Sequence, residues 1–378
     1  ERYITMMKRT MISQCLRMRS GNSSSSKRLI STISSWSENT GVTPMIDLTP
    51  LICSDTIPEG TKVLGKCEFM NPSGSIKDRI VKHIIESNER TGRLVPNSGQ
   101  TIVAASSGNT AASLAMFSAI KGYDCILITN KKCSEEKVAQ LSAYGAQVVI
   151  TESGVSIDDP RHYQNVEIQL CEENESYFGI NQYDNPLNPE AYYQTLGPEI
   201  WLQTKGQVTH FVAAGSTGGT LTGVSRFLKK MKPEVQSIMP DPHGSIFYEM
   251  WANNKLIKPG KFEVEGVGKD SIPSCLDLSL VDSMPRFHDE QAFGMCRKIS
   301  SEMGVMIGGS AGGNVYSALE LAQSLDEPGV IVTILCDSGV KYLSKIFNDS
   351  WMEEKGYNVE ESEWSEFRVG SLGNTSML

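Results

Sequence analysis

Paired cysteines, clustered histidines and an excess of basic residues are all missing from this sequence of 378 residues. Its nine cysteines include no C-x-x-C pair, which excludes the usual zinc and disulfide frameworks and favours reduced thiols in a reducing compartment. The five histidines lie far apart along the chain and offer no metal-ligand spacing. A formal net charge of −9 argues against a general nucleic-acid binder, because such proteins carry a basic surface. We therefore expect no metal site and no nucleic-acid partner.

The sequence also lacks a long apolar run. The longest weakly polar stretch, residues 101–120, is interrupted by Ser106, Ser107 and Asn109, so we expect no membrane span. The composition is otherwise that of a globular protein, with 39% hydrophobic and 21% charged residues. A chain of this length can bury a sizeable core.

The first forty residues differ in composition from the rest of the chain. Residues 1–36 carry seven lysines or arginines against a single acid, Glu1, and they are rich in serine. Such a leader is typical of an organellar transit peptide and predicts import into the mitochondrial matrix. The alternative is a disordered leader without a targeting role, which would leave the protein in the cytoplasm.

After the leader, short apolar strands alternate with helical patterns. Strands are predicted at 101–105, 124–129, 147–151, 210–214 and 330–335, and helices at 110–121, 134–144, 220–230 and 314–325. Continuous apolar strands that alternate with helices predict parallel sheets covered on both faces. Two such clusters, separated by an irregular stretch at 152–174, predict a two-lobed α/β fold.

A glycine-rich segment, AAGSTGGT at 213–220, connects a predicted strand to a predicted helix. Small residues let the backbone approach an anion closely, and the helix-start N–H groups and hydroxyls then act as donors. The segment lacks the lysine of a P-loop and the G-x-G-x-x-G spacing, which disfavours ATP and NAD. It favours a phosphate site, and the alternative is a turn needed only for packing.

A lysine lies at the start of another helix, in NPSGSIKDR at 71–79. The helix macrodipole favours acids there, so Lys77 is either a solvated lysine paired with an acid or an amine with a depressed pKa. An amine of the second kind attacks aldehydes. Together with a phosphate site, it favours pyridoxal phosphate, which needs one Schiff-base lysine and one anion site.

Two more predicted helix starts contain unusual combinations of residues. SSGNT at 106–110 places four polar side chains around a glycine, which exceeds what one helix cap requires and favours a carboxylate or ring-oxygen site. GGSAGGN at 308–314 also precedes a predicted helix, and the alternative to a functional role there is a helix cap at Ser310 or Asn314.

In this order and spacing, the segments resemble the fold-type II pyridoxal-phosphate enzymes of the cysteine synthase and cystathionine β-synthase family. The resemblance covers about 39–357 and rests on NPSGSIKDR, SSGNT, NQYDNPLNP, GSTGGT, EGVGKDSIP and GGSAGG. It implies a two-lobed, tryptophan synthase β-like fold, small amino-acid substrates and a homodimer. The implied parts are a leader at 1–40, a smaller lobe at about 72–178, a larger lobe at about 41–71 plus 179–360, and a tail at 361–378.

The resemblance assigns roles to the residues that match its motifs. It implies that Lys77 holds the cofactor and later removes the substrate α-proton, that Asn109 bonds the ring hydroxyl, and that Ser310 faces the ring nitrogen. The implied phosphate site is Ser216, Thr217, Gly218, Gly219 and Thr220. The implied substrate site is Ser106, Ser107, Asn109, Thr110, Gln182 and Gly266.

The implied reaction is β-replacement on L-serine or an O-activated serine, of cystathionine β-synthase or cysteine synthase type. A neutral hydroxyl beside the ring nitrogen, here Ser310, favours loss of a β-substituent through an aminoacrylate over transamination. The alternatives are a 2,3-diaminopropionate-forming synthase that uses O-phosphoserine and an amine such as glutamate, and a pyridoxal-phosphate-binding sensor without catalysis. Lys269 stands where cystathionine β-synthases have a tyrosine, and it either helps to select an anionic nucleophile or is a solvated loop lysine.

Overall fold

The computed structural model describes residues 33–106, 108–131, 133, 135–153, 155 and 159–359. The described residues 33–38 belong to one unit and the described residues from Asn39 onward to another, and the fold below is that of the second unit. Most of the predicted leader, the whole predicted tail at 361–378 and Ser107 lie outside the described residues.

Short strands and longer helices alternate along the described residues. The strands are β1 (Met45–Asp47), β2 (Lys62–Cys67), β3 (Thr101–Ala105), β4 (Asp124–Asn130), β5 (Gln147–Thr151), β6 (Tyr177–Gly179), β7 (His210–Val212), β8 (Gln236–Ile238), β9 (Asp241–Pro242), β10 (Arg286–Phe287) and β11 (Val330–Leu335). The helices are α1 (Lys77–Arg90), α2 (Asn109–Lys121), α3 (Glu135–Ala143), α4 (Tyr163–Glu173), α5 (Leu187–Gln194), α6 (Leu196–Gln203), α7 (Gly219–Met231), α8 (Phe247–Asn253), α9 (Asp289–Met303), α10 (Gly309–Gln323) and α11 (Asp349–Glu354).

Two main sheets organise these elements. One has the order β1-β2-β11-β7-β8 and is parallel except for the antiparallel edge strand β1. The other has the order β5-β4-β3-β6 and is parallel throughout. Helices cover both sheets, and the central strand β3 is buried along its whole length. The predicted two-lobed α/β fold of parallel strands and helices is confirmed.

The prediction that residues 152–174 are irregular is wrong, because α4 lies within this stretch. Tyr163, Val166 and Leu170 of this helix pack against Val103 and Ile128 of the four-stranded sheet. Their spacing of three and four residues is helical, but the many acidic and amide side chains around them obscure it.

The helix predicted at 314–325 begins five residues earlier than expected, at Gly309. Glycine is needed in this helix because neighbouring segments of the same chain approach too closely to leave room for a side chain. A Cβ at Gly312 would lie 2.1 Å from the carbonyl oxygen of Ala292, and one at Gly313 would lie 2.6 Å from the ring of Phe287. Glycine is therefore required by packing here rather than by a turn.

Two further properties of the described residues bear on function. Among the helices described, none is both long and apolar enough to cross a membrane. The same part of the chain contains no group of three or more histidine, cysteine or acidic side chains that could hold a metal ion.

Candidate active site

A cavity of about 530 Å³ lies where the carboxyl ends of β3, β7 and β11 lead into helices and turns. This edge of a parallel sheet is where open α/β folds bind ligands. Residues predicted from the sequence that line the cavity are Lys77, Ser106, Asn109, Thr110, Gln182, Ser216, Thr217 and Gly266. The structure thus brings together residues from segments that are far apart in the sequence.

Three helices at this edge begin without a side-chain cap. The residues before α2, α7 and α10 are Gly108, Gly218 and Gly308, and none of these helices has a side-chain cap hydrogen bond. The alternative that Ser310 or Asn314 serves as a helix cap is therefore wrong. Helix-start N–H groups without a capping side chain are suited to bind an anionic ligand.

The loop before α7 combines glycines fixed by packing with an uncapped helix start, and its residues Ser216 and Thr217 line the cavity. Gly218 has φ +79°, and a Cβ there would lie 2.4 Å from Cβ of Leu276. A Cβ at Gly219 would lie 1.9 Å from Oδ1 of Asn188, so neither position accepts a side chain. Gly218, Gly219 and Thr220 complete the loop, although they do not themselves line the cavity. These features fit the phosphate group of pyridoxal phosphate.

Lys77, the first residue of α1, lines the cavity and is half-buried. Burial lowers the pKa of its ammonium group, while the nearby Cys336 and Asp337 partly oppose that change. A lowered pKa makes the neutral amine more available, and the neutral amine is the form that attacks an aldehyde. Lys77 therefore fits the lysine that pyridoxal phosphate requires.

The loop that precedes Lys77 is held by its neighbour Asp78. This buried carboxylate accepts hydrogen bonds from the backbone N–H of Ser73 at 2.7 Å, from the Ser73 hydroxyl, and from the hydroxyl of Ser113 at 2.7 Å. The predicted NPSGS loop is therefore fixed to α2, which also carries Asn109.

Ser310 lies in the first turn of α10, buried and outside the lining of the cavity. Its hydroxyl hydrogen-bonds Cys336, and burial raises the pKa of that thiol to about 12, so the thiol stays protonated. Gly266, which does line the cavity, is its neighbour: a Cβ on Gly266 would lie 3.9 Å from the Ser310 hydroxyl oxygen. A neutral hydroxyl that is hydrogen-bonded to a neutral thiol thus lies next to Gly266, and the contact of Ser310 with the ring nitrogen stays a prediction.

Asn314 bridges two central strands instead of capping its helix. Its Oδ1 accepts a hydrogen bond from the backbone N–H of Ala214 at 2.7 Å, and its Nδ2 donates to the carbonyl of Ile334 at 2.9 Å. The ends of β7 and β11 are therefore held side by side where the phosphate loop begins.

The residues of the predicted substrate site that the structure describes also meet in this cavity. The Thr110 hydroxyl donates to Oε1 of Gln182 at 2.7 Å, and Ser106 lines the same cavity. Hydroxyl and amide groups at the start of α2 form a polar surface that suits a substrate carboxylate.

Lys269 does not line the cavity that contains Lys77. Its ammonium lies 4.6 Å from the ring centroid of Tyr183, and its side chain is 19% exposed. It lines a second cavity of about 530 Å³, and Tyr183 and Gln182 line both cavities. Lys269 is thus neither a solvated lysine nor part of the lining around Lys77.

Sequence reasoning missed several residues of the site. Glu265 lines the cavity and accepts hydrogen bonds from Lys137 at 2.7 Å and Lys345 at 2.6 Å. Burial opposes ionisation of Glu265, but the two ammonium groups prevail and lower its pKa. Glu265 belongs to the EGVGKDSIP segment, and that motif was the available signal.

Asp337 and Lys341 were also missed, and both contact Asn109. Asp337 lies two residues after the apolar strand β11, and a polar residue near the carboxyl end of a parallel strand is a usable signal. Lys341 had no such signal, because it lies 232 residues from Asn109 in the sequence.

Comparisons with known proteins agree with this geometry. A sequence profile described as "Pyridoxal-phosphate dependent enzyme" matches residues 39–337. The chain is 42% identical to cystathionine β-synthase of Oryctolagus cuniculus, over 79% of this chain and 54% of that protein. It is 34% identical to cysteine synthase of Dictyostelium discoideum, over 85% of this chain and 87% of that protein.

Among solved structures, that of O-ureido-L-serine synthase is similar, with a TM-score of 0.75, 30% sequence identity, and coverage of 85% of this chain and all of that one. The chain spans about three-fifths of the length of the cystathionine β-synthases that it matches. The chain belongs to the fold-type II pyridoxal-phosphate-dependent enzymes, in the family of cystathionine β-synthase and cysteine synthase.

Proposed function

We propose that this protein catalyses β-replacement on L-serine or an O-activated serine. The observation that carries the proposal is a single cavity with two sets of predicted residues in its lining. The predicted cofactor residues there are Lys77, Asn109, Ser216 and Thr217, and the predicted substrate residues are Ser106, Thr110 and Gln182. When bound, pyridoxal phosphate supplies an electron sink for the substrate α-carbon.

Individual residues of the chain then have separate roles in the reaction. The amine of Lys77 takes the α-proton, because the neutral form of an amine acts as a base and a lowered pKa makes that form more available. The hydroxyl of Thr110 and the amide of Gln182 bind the substrate carboxylate and orient the α-carbon. Ser310 leaves the ring nitrogen without a carboxylate partner, which favours departure of the β-substituent over transamination.

The second substrate is proposed to be a thiol, as in the cystathionine β-synthase and cysteine synthase relatives. The higher identity to cystathionine β-synthase supports homocysteine first and sulfide second.

A second candidate function is a 2,3-diaminopropionate-forming synthase that uses O-phosphoserine and an amine such as glutamate. The observation that favours it is the charge of the cavity, whose lining contains three lysines, Lys77, Lys137 and Lys341, against one carboxylate, Glu265. Such a lining favours an anionic substituent such as a phosphate ester.

One matrix of incubations tests both functions. The purified holoenzyme is incubated with serine, O-acetylserine or O-phosphoserine, each with homocysteine, sulfide or glutamate, and the products are identified by mass spectrometry. We expect a thioether or thiol product with serine or O-acetylserine, and none from the Lys77→Ala variant. Product only from O-phosphoserine and glutamate would establish the second candidate, and no product from any pair would refute both.

We also propose a homodimer in the mitochondrial matrix. The family resemblance supports the first part, and the basic, serine-rich composition of residues 1–36 supports the second. Analytical ultracentrifugation tests the dimer, and a fluorescent reporter fused behind residues 1–40 tests the targeting. A reporter that stays in the cytoplasm would favour a leader without that role.

A further inference from the structure

The side-chain amide of Asn109 is held by two charged groups. Nζ of Lys341 donates a hydrogen bond to Oδ1 of Asn109 at 2.7 Å, and Nδ2 of Asn109 donates to Oδ2 of Asp337 at 2.8 Å. An ammonium group can only donate, so the carbonyl oxygen of the amide must face Lys341. The NH₂ group of Asn109 is thereby directed away from Lys341, and the described residues provide no acceptor for its second N–H.

The two holding groups are themselves fixed. Asp337 is fully buried at the end of β11, and its Oδ2 also accepts a hydrogen bond from the hydroxyl of Tyr342 at 2.8 Å. Lys341 lies in the turn Gly339–Tyr342 and packs beside Gly74, since a Cβ there would lie 3.6 Å from Cε of the lysine. Gly74 belongs to the loop that leads into α1 and Lys77.

Two carboxylates and one ammonium group act on Lys341. Burial lowers the pKa of its ammonium group, Asp337 and Asp78 raise it, and Lys137 lowers it. Lys341 thus lies among carboxylates that keep it beside Asn109.

We propose that Lys341 is a positioning residue, which orients the Asn109 amide so that its N–H group, and not its carbonyl oxygen, faces the phenolic oxygen of the pyridoxal phosphate ring. The inference rests on the proposed contact between Asn109 and the ring, and it is independent of which serine derivative reacts. An N–H donor stabilises the ionised phenolic oxygen, because a hydrogen bond to the charged form favours that form. Without Lys341 only the contact with Asp337 still holds the amide, so the carbonyl oxygen faces the ring more often, and that orientation favours the protonated hydroxyl instead.

The test is a pH titration of the visible absorbance of the holoenzyme, because the ionised and protonated ring oxygens absorb at different wavelengths. In Lys341→Met, we expect the midpoint of this titration to move to higher pH by about one unit, since a charge-assisted contact that fixes the donor is lost. Lys341→Arg keeps a donor for Oδ1 and should restore most of the wild-type midpoint. Lys355→Met removes a lysine that pairs with Glu263 at the surface, and as the matched control it should leave the midpoint unchanged.

Two measurements separate positioning from folding. Bound cofactor and thermal unfolding are determined for each variant, and only variants that are folded and loaded like the wild type are compared. A Lys341→Met midpoint equal to that of the wild type, with a shifted midpoint in Asn109→Ala, would overturn the positioning role alone. An unshifted midpoint in Asn109→Ala would instead remove the assignment of Asn109 to the ring.

Discussion

The side-chain amide of Asn188 donates hydrogen bonds to the hydroxyl of Thr217 at 3.1 Å and to the carbonyl oxygen of Gln182 at 2.7 Å. One buried amide therefore joins the phosphate loop to the loop that carries a predicted substrate residue. Asn188 belongs to the NQYDNPLNP segment, whose sequence pattern alone gave it no role.

Asn188→Ala should weaken binding of pyridoxal phosphate. Removal of the amide leaves the Thr217 hydroxyl and the Gln182 carbonyl without this donor, which typically costs about 1–3 kcal/mol. The dissociation constant for the cofactor should rise by roughly tenfold, at 1.4 kcal/mol per factor of ten. Titration of the apoenzyme with pyridoxal phosphate, followed by absorbance, measures it.

Gly219→Ala tests the same contact from the other side, since the added Cβ would lie 1.9 Å from Oδ1 of Asn188. We expect this clash to weaken cofactor binding in Gly219→Ala. If it does so through Asn188, the double variant Asn188→Ala plus Gly219→Ala should lose less affinity for pyridoxal phosphate than the sum of the two single losses. Additive losses would show that the two residues act independently and would contradict this explanation.

Lys77→Ala should lose covalent attachment of the cofactor and turnover together. In the wild-type apoenzyme, burial lowers the pKa of Lys77, so the neutral amine is reached at lower pH than for an exposed lysine. The rate of cofactor attachment should rise with pH and level off below 10.5, the ordinary lysine value. Stopped-flow absorbance across a pH series measures the rate, with a free lysine derivative as the control. A rate that keeps rising as for free lysine would argue against a lowered pKa.

The sequence predicts the strands well because β3 and β11 are short, continuous apolar runs bounded by turns. It fails at α10, where glycine normally breaks a helix but here is required by the close approach of Ala292 and Phe287. It also fails at α4, where acidic residues obscure the apolar stripe of Val166 and Leu170.

The residues of the candidate site also differ in how far the sequence predicts them. Lys77 and the phosphate loop are recognisable locally, since each combines a helix start with unusual residue types. The contact between Lys341 and Asn109 joins residues 232 positions apart, and no local pattern encodes it.

Ser310→Ala should slow product formation while hardly changing stability. Ser310 is not the cap of α10, so its loss should cost less than the roughly 1 kcal/mol typical of a cap. Loss of one hydrogen bond in the reaction should lower the rate by about tenfold. Asn348→Ala is the matched control, because Asn348 does accept a capping bond from the N–H of Trp351. It should lower the melting temperature more than Ser310→Ala, with less effect on rate; the reverse pattern would make Ser310 structural.

Glu199→Gln should destabilise the fold strongly at neutral pH. The carboxylate pairs with Arg79 at 2.8 Å and with Lys66 at 2.7 Å, and both cations are almost fully buried. Arg79 keeps its pair with Glu68 at 2.6 Å, but Lys66 loses the carboxylate that it contacts, and leaving a buried charge without a partner costs about 3–5 kcal/mol. Urea denaturation measures the loss, and Glu152→Gln, which breaks an exposed pair with Lys131, should cost less than about 1 kcal/mol.

The effect of Glu199 should also depend on pH. Burial would raise the pKa of this carboxyl, but Arg79 and Lys66 outweigh it and lower the pKa to about 2. Because the folded value lies below the ordinary 4.5, its stabilisation is fully present above pH 4.5 and is lost as the pH falls towards 2. The difference in unfolding free energy between wild type and Glu199→Gln should shrink over that range. A difference that stays constant with pH would contradict the assignment.

Lys269→Met should change the reaction rate to a similar extent for every nucleophile. The ammonium contacts the ring of Tyr183, which lines both cavities, but Lys269 itself lines only the cavity that does not contain Lys77, so we expect it to act on the site through that ring. A cation–π contact at a partly exposed position is worth about 0.5–1 kcal/mol, which limits the loss in kcat/KM to about fivefold. We expect the same factor with sulfide, homocysteine and glutamate, without a salt dependence that differs between them, and wild-type rates in Lys269→Arg. A loss confined to the anionic nucleophiles, and weaker at high salt, would show instead that the lysine meets the incoming substrate directly.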